Sequence, residues 1–391
     1  MSSLPRLVFH RLRSIVFVLV CFVSAMLGTV LVLFPMMLLL APTRPLLWRR
    51  MCDRLFGFWM NLPVFLLSTL YGVKVRLWGD AIRQDRPSLI IMNHRTRLDW
   101  LWFFHVLYRM DPWLMTTWKV SMKRILKHAP GFGWAMQCNG YIFMERKWEV
   151  DQPMLEDTLA YFHDNGRPLQ LLFFPEGTDM DAPAIARCRR YCDKAGLQMY
   201  EQLLHPKTTG FVFVAQEMRR LGYLDAVYDV TVAYPMVDRE PFVHFEVEFL
   251  RGEAPSSVDF HVKRHEATDL PQDDEALGEW LKELFAQKER RLKSYYAKEE
   301  EKGFDEGARW PEDDAVKRLT LFAHFVLWAC ATVVWLWFIY QFSWTIWLYA
   351  ACAAAGFVFF AKRYGGAQNW VVGQWKRRRR AAAPAADRKA E

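Results

Sequence analysis

An α/β fold tethered to a membrane is what this 391-residue sequence predicts, and three observations carry that expectation. Charge is absent from three long stretches, 14–43, 55–73 and 319–361. Between about 80 and 298, short apolar runs alternate with longer helical patterns, as in a sheet with helices on its faces. The composition, 52% hydrophobic but 24% charged, is too polar for a polytopic transporter and too apolar to stay disordered.

The N-terminal anchor, 1–78, comes first. A bilayer core needs ~20 apolar residues as a helix. The stretch 14–43 suffices for one tilted span near 15–41 or for a bent hairpin, with Pro35 as a kink. Its apolar part exceeds the ~7–15 residues of a signal-peptide core, which favours an anchor over a cleaved leader. The stretch 55–73 is marginal and carries Asn61 and Pro63. It spans, dips in and returns, or forms a buried helix.

The soluble domain, 79–298, reads in order as strand 88–92, helix 98–108 and helical sequence 121–137 broken at Pro130-Gly131. Strand 141–144 and helix 152–163 follow, the helix closing at Asn165-Gly166. The run 169–174 is almost purely apolar and stops at Pro175, as a buried strand does. Helix 209–220, strands 228–234, 243–250 and 258–262, and a charged helix 273–296 complete the pattern.

A charged linker, 299–318, leads to 319–361, which is twice the length of one span. Gln341-Phe342-Ser343 near its middle suits a polar turn, giving a two-helix transmembrane hairpin. Lys317-Arg318 precede the hairpin, and Lys362-Arg363 and the basic tail 362–391 follow it. By the positive-inside rule both ends, and with them the soluble domain, face the cytoplasm. The run Lys376-Arg377-Arg378-Arg379-Arg380 sits beside a span, where it matches anionic lipid headgroups better than nucleic acid. Seven cysteines, an odd number without zinc spacing, read as free thiols, and no metal site is expected.

Two motifs carry the chemistry. Asn93-His94-Arg95-Thr96-Arg97-Leu98-Asp99 follows a strand and opens a helix. A free histidine side chain has a pKa near neutrality, which makes His94 the general-base candidate. Asp99, five residues on, can hold one imidazole nitrogen only if His94 precedes the helix and the chain turns there, because five helical residues rotate through ~500°. Phe174-Pro175-Glu176-Gly177-Thr178-Asp179 ends a buried strand, where open α/β sheets gather ligands. A solvated histidine and an ordinary strand-ending turn are the plain alternatives. There is no Gly-x-Ser-x-Gly elbow, His-Glu-x-x-His or phosphate-binding loop.

Together these motifs, in this order and about 80 residues apart, resemble the glycerolipid acyltransferases related to 1-acylglycerol-3-phosphate acyltransferase. Gly131-Phe132-Gly133-Trp134, Arg146-Lys147-Trp148, His205-Pro206-Lys207-Thr208 and Asp229-Val230-Thr231-Val232-Ala233-Tyr234-Pro235 are similar to the lysocardiolipin acyltransferase branch. The resemblance implies that family's mixed sheet flanked by helices. It implies acyl transfer from acyl-CoA, a co-substrate rather than a cofactor, to a lysophospholipid hydroxyl. His94 and Asp99 then act as base and orienter, with Asn93, Pro175, Glu176, Gly177 and Thr178 in the acceptor site. It also implies a eukaryotic endoplasmic reticulum membrane, or the plasma membrane for a bacterial source.

One departure from the family matters. Members acting on lysophosphatidic acid often carry Arg where this chain has Asp179. A carboxylate repels a dianionic phosphomonoester more than a phosphodiester. Asp179 therefore favours lysocardiolipin or a related lysophosphodiester as acceptor, with Arg95, Arg97, Lys123, Arg146 and Lys207 as replacement phosphate contacts. A lysophosphatidic acid acyltransferase and a non-catalytic lipid-binding scaffold on the same fold are the competing readings.

Overall fold

A computed structural model describes residues 4–235, 245–298, 303–311 and 315–382. The chain divides into two compact units. The first comprises Met1–Val18, Pro63–Trp118 and Pro168–Phe322, and the second Leu19–Leu62, Lys119–Arg167 and Ala323–Glu391.

Seven strands occur in the described residues: β1 (Lys74–Gly79), β2 (Ser88–Met92), β3 (Trp118–Lys123), β4 (Ile142–Met144), β5 (Gln170–Phe173), β6 (Ala226–Ala233) and β7 (Ser257–Glu266). In the first unit they run β1-β7-β6-β2-β5. Only the β6–β7 pair is antiparallel; β1–β7, β6–β2 and β2–β5 are parallel. Register is set by apolar runs buried on both faces, the mark of a covered parallel sheet. Every residue of β2, β5 and β6 is buried. Because β2, β5 and β6 point the same way, their carboxyl ends emerge together, and both sequence motifs follow directly from them.

In the second unit β3 and β4 form a parallel pair, with Ser121 opposite Ile142. Residues 121–123 thus end a strand where helix was expected. A 3-10 turn (Arg124–His128) and the helix Phe132–Cys138 follow, separated by Pro130-Gly131. The expected strand 243–250 is also overturned where it is described. Phe245–Leu250 is a helix, and residues 243–244 lie outside the described residues. Alternating Phe and Val suit a strand locally, but burial of Phe249 against Phe17, Tyr71 and Trp102 decides the conformation.

Among the described residues three helices are long and apolar enough to cross a bilayer: Val8–Leu40, Lys317–Gln341 and Ser343–Tyr364. The first is one continuous helical run with a π-helical stretch at Gly28–Leu33, not a hairpin. Pro35 falls at the start of the helix that follows this stretch, where its missing N–H is tolerated. The stretch 55–73 is not one of the three. Its helix starts at Pro45 and so includes Arg49, Arg50, Asp53 and Arg54, and most of its apolar side chains are buried in protein. Phe342 alone separates the two C-terminal helices. The basic run expected as a tail is helical, within Ala367–Ala382.

Candidate active site

The site is assembled at the carboxyl ends of β2, β5 and β6. Asn93, the first residue after β2, is buried and spans to β6. Its Nδ2 donates to the Val232 carbonyl at 3.1 Å, and its Oδ1 accepts from the Val232 N–H at 2.8 Å. This two-way amide bond extends the sheet pairing by one residue and aims the chain at His94.

His94 precedes the helix Asp99–Met110, and the chain turns through 94–98. Its Nδ1 lies 2.9 Å from Asp99 Oδ2. A carboxylate only accepts, so the proton sits on Nδ1 and leaves Nε2 as the basic nitrogen. Asp99 is fully buried and receives three further donors. Thr96 N–H reaches Oδ2 at 3.0 Å, while Thr96 Oγ1 at 3.1 Å and the Tyr234 hydroxyl at 2.5 Å reach Oδ1. Phe174, the residue after β5, stacks on the imidazole with ring centroids 4.1 Å apart. The His94 ring is therefore held on one edge and one face.

Glu176 is buried, and each of its oxygens is occupied by backbone. Oε1 accepts from the His94 N–H at 2.7 Å and Oε2 from the Leu204 N–H at 3.1 Å. Burial pushes its carboxyl up to about 7 despite these two donors. It is thus placed to fix the His94 backbone. Gly177 adopts φ +72°, closing the turn in which its N–H bonds the Phe174 carbonyl at 2.9 Å. A side chain there would also meet the end of Lys207, whose Nζ lies 3.4 Å from the position of a Cβ.

The rim carries the charged residues. Arg97 Nε donates to Asp179 Oδ2 at 3.0 Å, and Arg97 also approaches Asp181 at 3.7 Å. Burial alone would raise the Asp179 carboxyl, but Arg97 and His94 outweigh it and hold the group below its usual range. Thr178 Oγ1 bonds Asp179 at 3.4 Å. Arg95 is engaged by Gln202 and lies over the Tyr296 ring at 5.6 Å, and Lys207 is exposed. Lys123 and Arg146 belong to the second unit.

Several members of the site were not singled out from the sequence. Thr96 and Tyr234 complete the Asp99 cage. Beneath it, Lys288 is fully buried, 2.5 Å from Asp229, and donates to the Val230 carbonyl at 2.6 Å. Lys288 and Arg291 together hold the Asp229 carboxyl below its usual range against the opposing effect of burial. The available signal was a lone Asp229 inside an apolar strand, which requires a counter-ion. Among the described residues no group of three or more His, Cys, Asp or Glu is arranged to hold a metal ion.

The chain is similar to known acyltransferases. A family model described as acyltransferase matches residues 74–235, and one described as acyltransferase C-terminus matches 248–328. The chain is 41% identical over 294 residues to lysocardiolipin acyltransferase 1 of Gallus gallus, covering 75% of each protein. It is 32% identical to lysophosphatidylinositol acyltransferase 10 of Caenorhabditis elegans, over 85% of this chain and 86% of that one. A probable 1-acyl-sn-glycerol-3-phosphate acyltransferase 5 of Arabidopsis thaliana is 33% identical over 64% of each. The crystal structure of the 1-acyl-sn-glycerophosphate acyltransferase of Thermotoga maritima aligns with TM-score 0.45 and 14% identity, over 74% of this chain and 100% of that one.

Proposed function

The chain belongs to the acyltransferase family, and from that premise we propose that it is a membrane-bound acyl-CoA:lysophospholipid acyltransferase with His94 as general base. The observation that carries this reading is the His94–Asp99 pair, 2.9 Å apart at the strand ends. An alcohol is a poor nucleophile until a base takes its proton as the new bond forms. His94 Nε2 takes the proton of the acceptor hydroxyl as its oxygen adds to the thioester carbonyl. The C–S bond then breaks, and the imidazolium returns the proton to the leaving CoA sulfur. Asp99 stabilises the imidazolium between these two events. Glu176 and Asn93 act as positioning residues, since both bond backbone groups that hold the His94 turn.

The acceptor we favour is lysocardiolipin or a related lysophosphodiester. Support comes from the names of two relatives, one for lysocardiolipin and one for lysophosphatidylinositol, and from the buried carboxylate Asp179. Lysophosphatidic acid is the second reading, favoured by the Arabidopsis relative and by Arg97, which pairs with Asp179 and blunts its charge. The basic residues flanking the C-terminal helices support a cytoplasmic site, and the reading extends to an endoplasmic reticulum membrane or a bacterial plasma membrane.

A panel of lysolipids presented with one labelled acyl-CoA tests reaction and acceptor together. His94→Ala should lower turnover by ~10²–10⁴-fold while leaving the fold intact. Near wild-type turnover in the folded variant would exclude the base assignment, and equal use of every lysolipid would exclude the acceptor assignment.

A further inference from the structure

The second unit exposes an apolar pair that the acyl-transfer chemistry does not use. The 3-10 turn Arg124–His128 presents Ile125 at 70% and Leu126 at 47% exposure. Among the described residues no large apolar side chain outside the candidate spans is more exposed than Ile125, and it matches Leu348, 68% exposed within a span. A single exposed apolar residue is ordinary on a protein surface. Two in succession, held against membrane helices, are not.

Contacts within this unit tie the turn to two candidate spans. Lys127 Nζ donates to the Gly365 carbonyl at 2.7 Å, and Gly365 directly follows the span Ser343–Tyr364. Gln137 adds a second tie. Its Nε2 donates to the Lys127 carbonyl at 2.7 Å, and its Oε1 accepts from the Ala367 N–H at 2.7 Å. Beyond the turn, the Gly131 carbonyl accepts from Thr29 Oγ1 at 3.1 Å, and Thr29 lies in the span Val8–Leu40. The last turn of Ser343–Tyr364 carries Lys362 and Arg363, and basic residues at a span's end mark the headgroup level.

The sequence of the turn has the pattern of a segment at that level. Lys123, Arg124, Lys127 and His128 flank Ile125 and Leu126, and residues 123–131 contain no acid. Glu145, which pairs with Arg124 at 2.5 Å, comes from farther along the chain. Basic side chains keep their heads among the headgroups while neighbouring apolar side chains go deeper.

We infer that Ile125 and Leu126 insert into the bilayer at the boundary between headgroups and acyl chains, so that the turn Arg124–His128 is a membrane contact in addition to the spans. This rests on the reading of the chain as membrane-bound. The bilayer is the occupant because both ties of the turn run to candidate spans.

The test places a nitroxide on the full chain in phosphatidylcholine vesicles, at Ile125→Cys and separately at Leu126→Cys. The background carries Cys188→Ala, Cys330→Ala and Cys352→Ala, which removes the cysteines that are not buried. Collision with oxygen, which concentrates in lipid, is compared with collision with a water-soluble nickel chelate. Leu348→Cys is the lipid reference, and Lys282→Cys, on the charged helix Asp274–Ala297, is the water reference. Labels at 125 and 126 should follow the lipid reference, at a depth of about 5–10 Å. Adding Ile125→Asp should return the label at 126 toward the water reference, because a carboxylate is costly in lipid. Labels at 125 and 126 that match position 282 while position 348 reports lipid overturn the inference and leave the membrane reading standing. A label at 348 that reports water overturns both. Labels at 125 and 126 shielded from both reagents overturn the inference in favour of a protein partner, and spin–spin broadening would identify that partner as a second copy of this chain.

Discussion

Asp99→Asn isolates the charge of the dyad from its geometry. Each carboxylate oxygen receives two donors: Oδ2 from His94 Nδ1 and Thr96 N–H, Oδ1 from the Tyr234 and Thr96 hydroxyls. An amide NH₂ cannot face two N–H donors, whereas hydroxyls can rotate and accept. Asparagine will therefore turn its carbonyl toward His94 and its NH₂ toward the hydroxyls. The His94 tautomer is kept and only the negative charge is lost. In the transition state that charge faces an imidazolium roughly 4 Å away, worth about 4 kcal/mol at an effective dielectric of ~20. Asp99 is fully buried and the His94 side chain 16% exposed, so solvent screening removes little of this. At about 1.36 kcal/mol per decade, kcat/KM should fall ~10³-fold with the KM for lysolipid nearly unchanged. Release of CoA thiol by the purified variant, with circular dichroism to confirm folding, measures it. A folded variant within about tenfold of wild type would mean that the Asp99 charge does not act on the reacting imidazole.

Three further outcomes are expected. Tyr234→Phe removes one donor to a buried carboxylate, worth ~1.5–3 kcal/mol, and should lower kcat by about tenfold or more. An unchanged rate would leave Tyr234 a packing residue. Asp179→Arg should shift the kcat/KM ratio toward lysophosphatidic acid over lysocardiolipin by a modest factor, roughly 2–5-fold, because Arg97 already offsets much of the Asp179 charge. A constant ratio would remove Asp179 from acceptor selection. Burial lowers His261 to about 4 from an ordinary 6.5. A depressed base contributes stability that is present above 6.5 and lost as pH falls through about 4. His261→Gln should flatten the acid limb of a melting-temperature profile between those values, and a profile parallel to wild type would assign the acid sensitivity elsewhere.

Much of the sheet and both motifs were legible because each rests on local physics. Short apolar runs with a Pro at or near one end became buried strands, as β2, β5 and β6 show. Uncharged stretches of twenty or more residues have the length of a span in any fold. His94 and Asp99 stood five residues apart across a strand-to-helix turn, and that spacing already stated the condition for their pairing. What the sequence left open turned on distant partners. The segment 121–123 became strand because it pairs with β4, and Phe245–Leu250 became helix because Phe249 is buried against rings from three distant segments. Glu176 stood out as a carboxylate at a strand end, but its bonds to the backbone amides of His94 and Leu204, 82 and 28 residues away, came only with the fold. Tyr234 and Lys288 likewise acquire their roles from groups far along the chain. By itself the sequence determined the buried strands β2, β5 and β6, the apolar length of the candidate spans and the residue types of the dyad, since these depend on hydrophobic length, period and side-chain type. Only the tertiary structure decided which polar groups pair with one another and which bond backbone, because hydrogen-bond satisfaction in a buried site depends on whatever donors the fold brings within 3 Å.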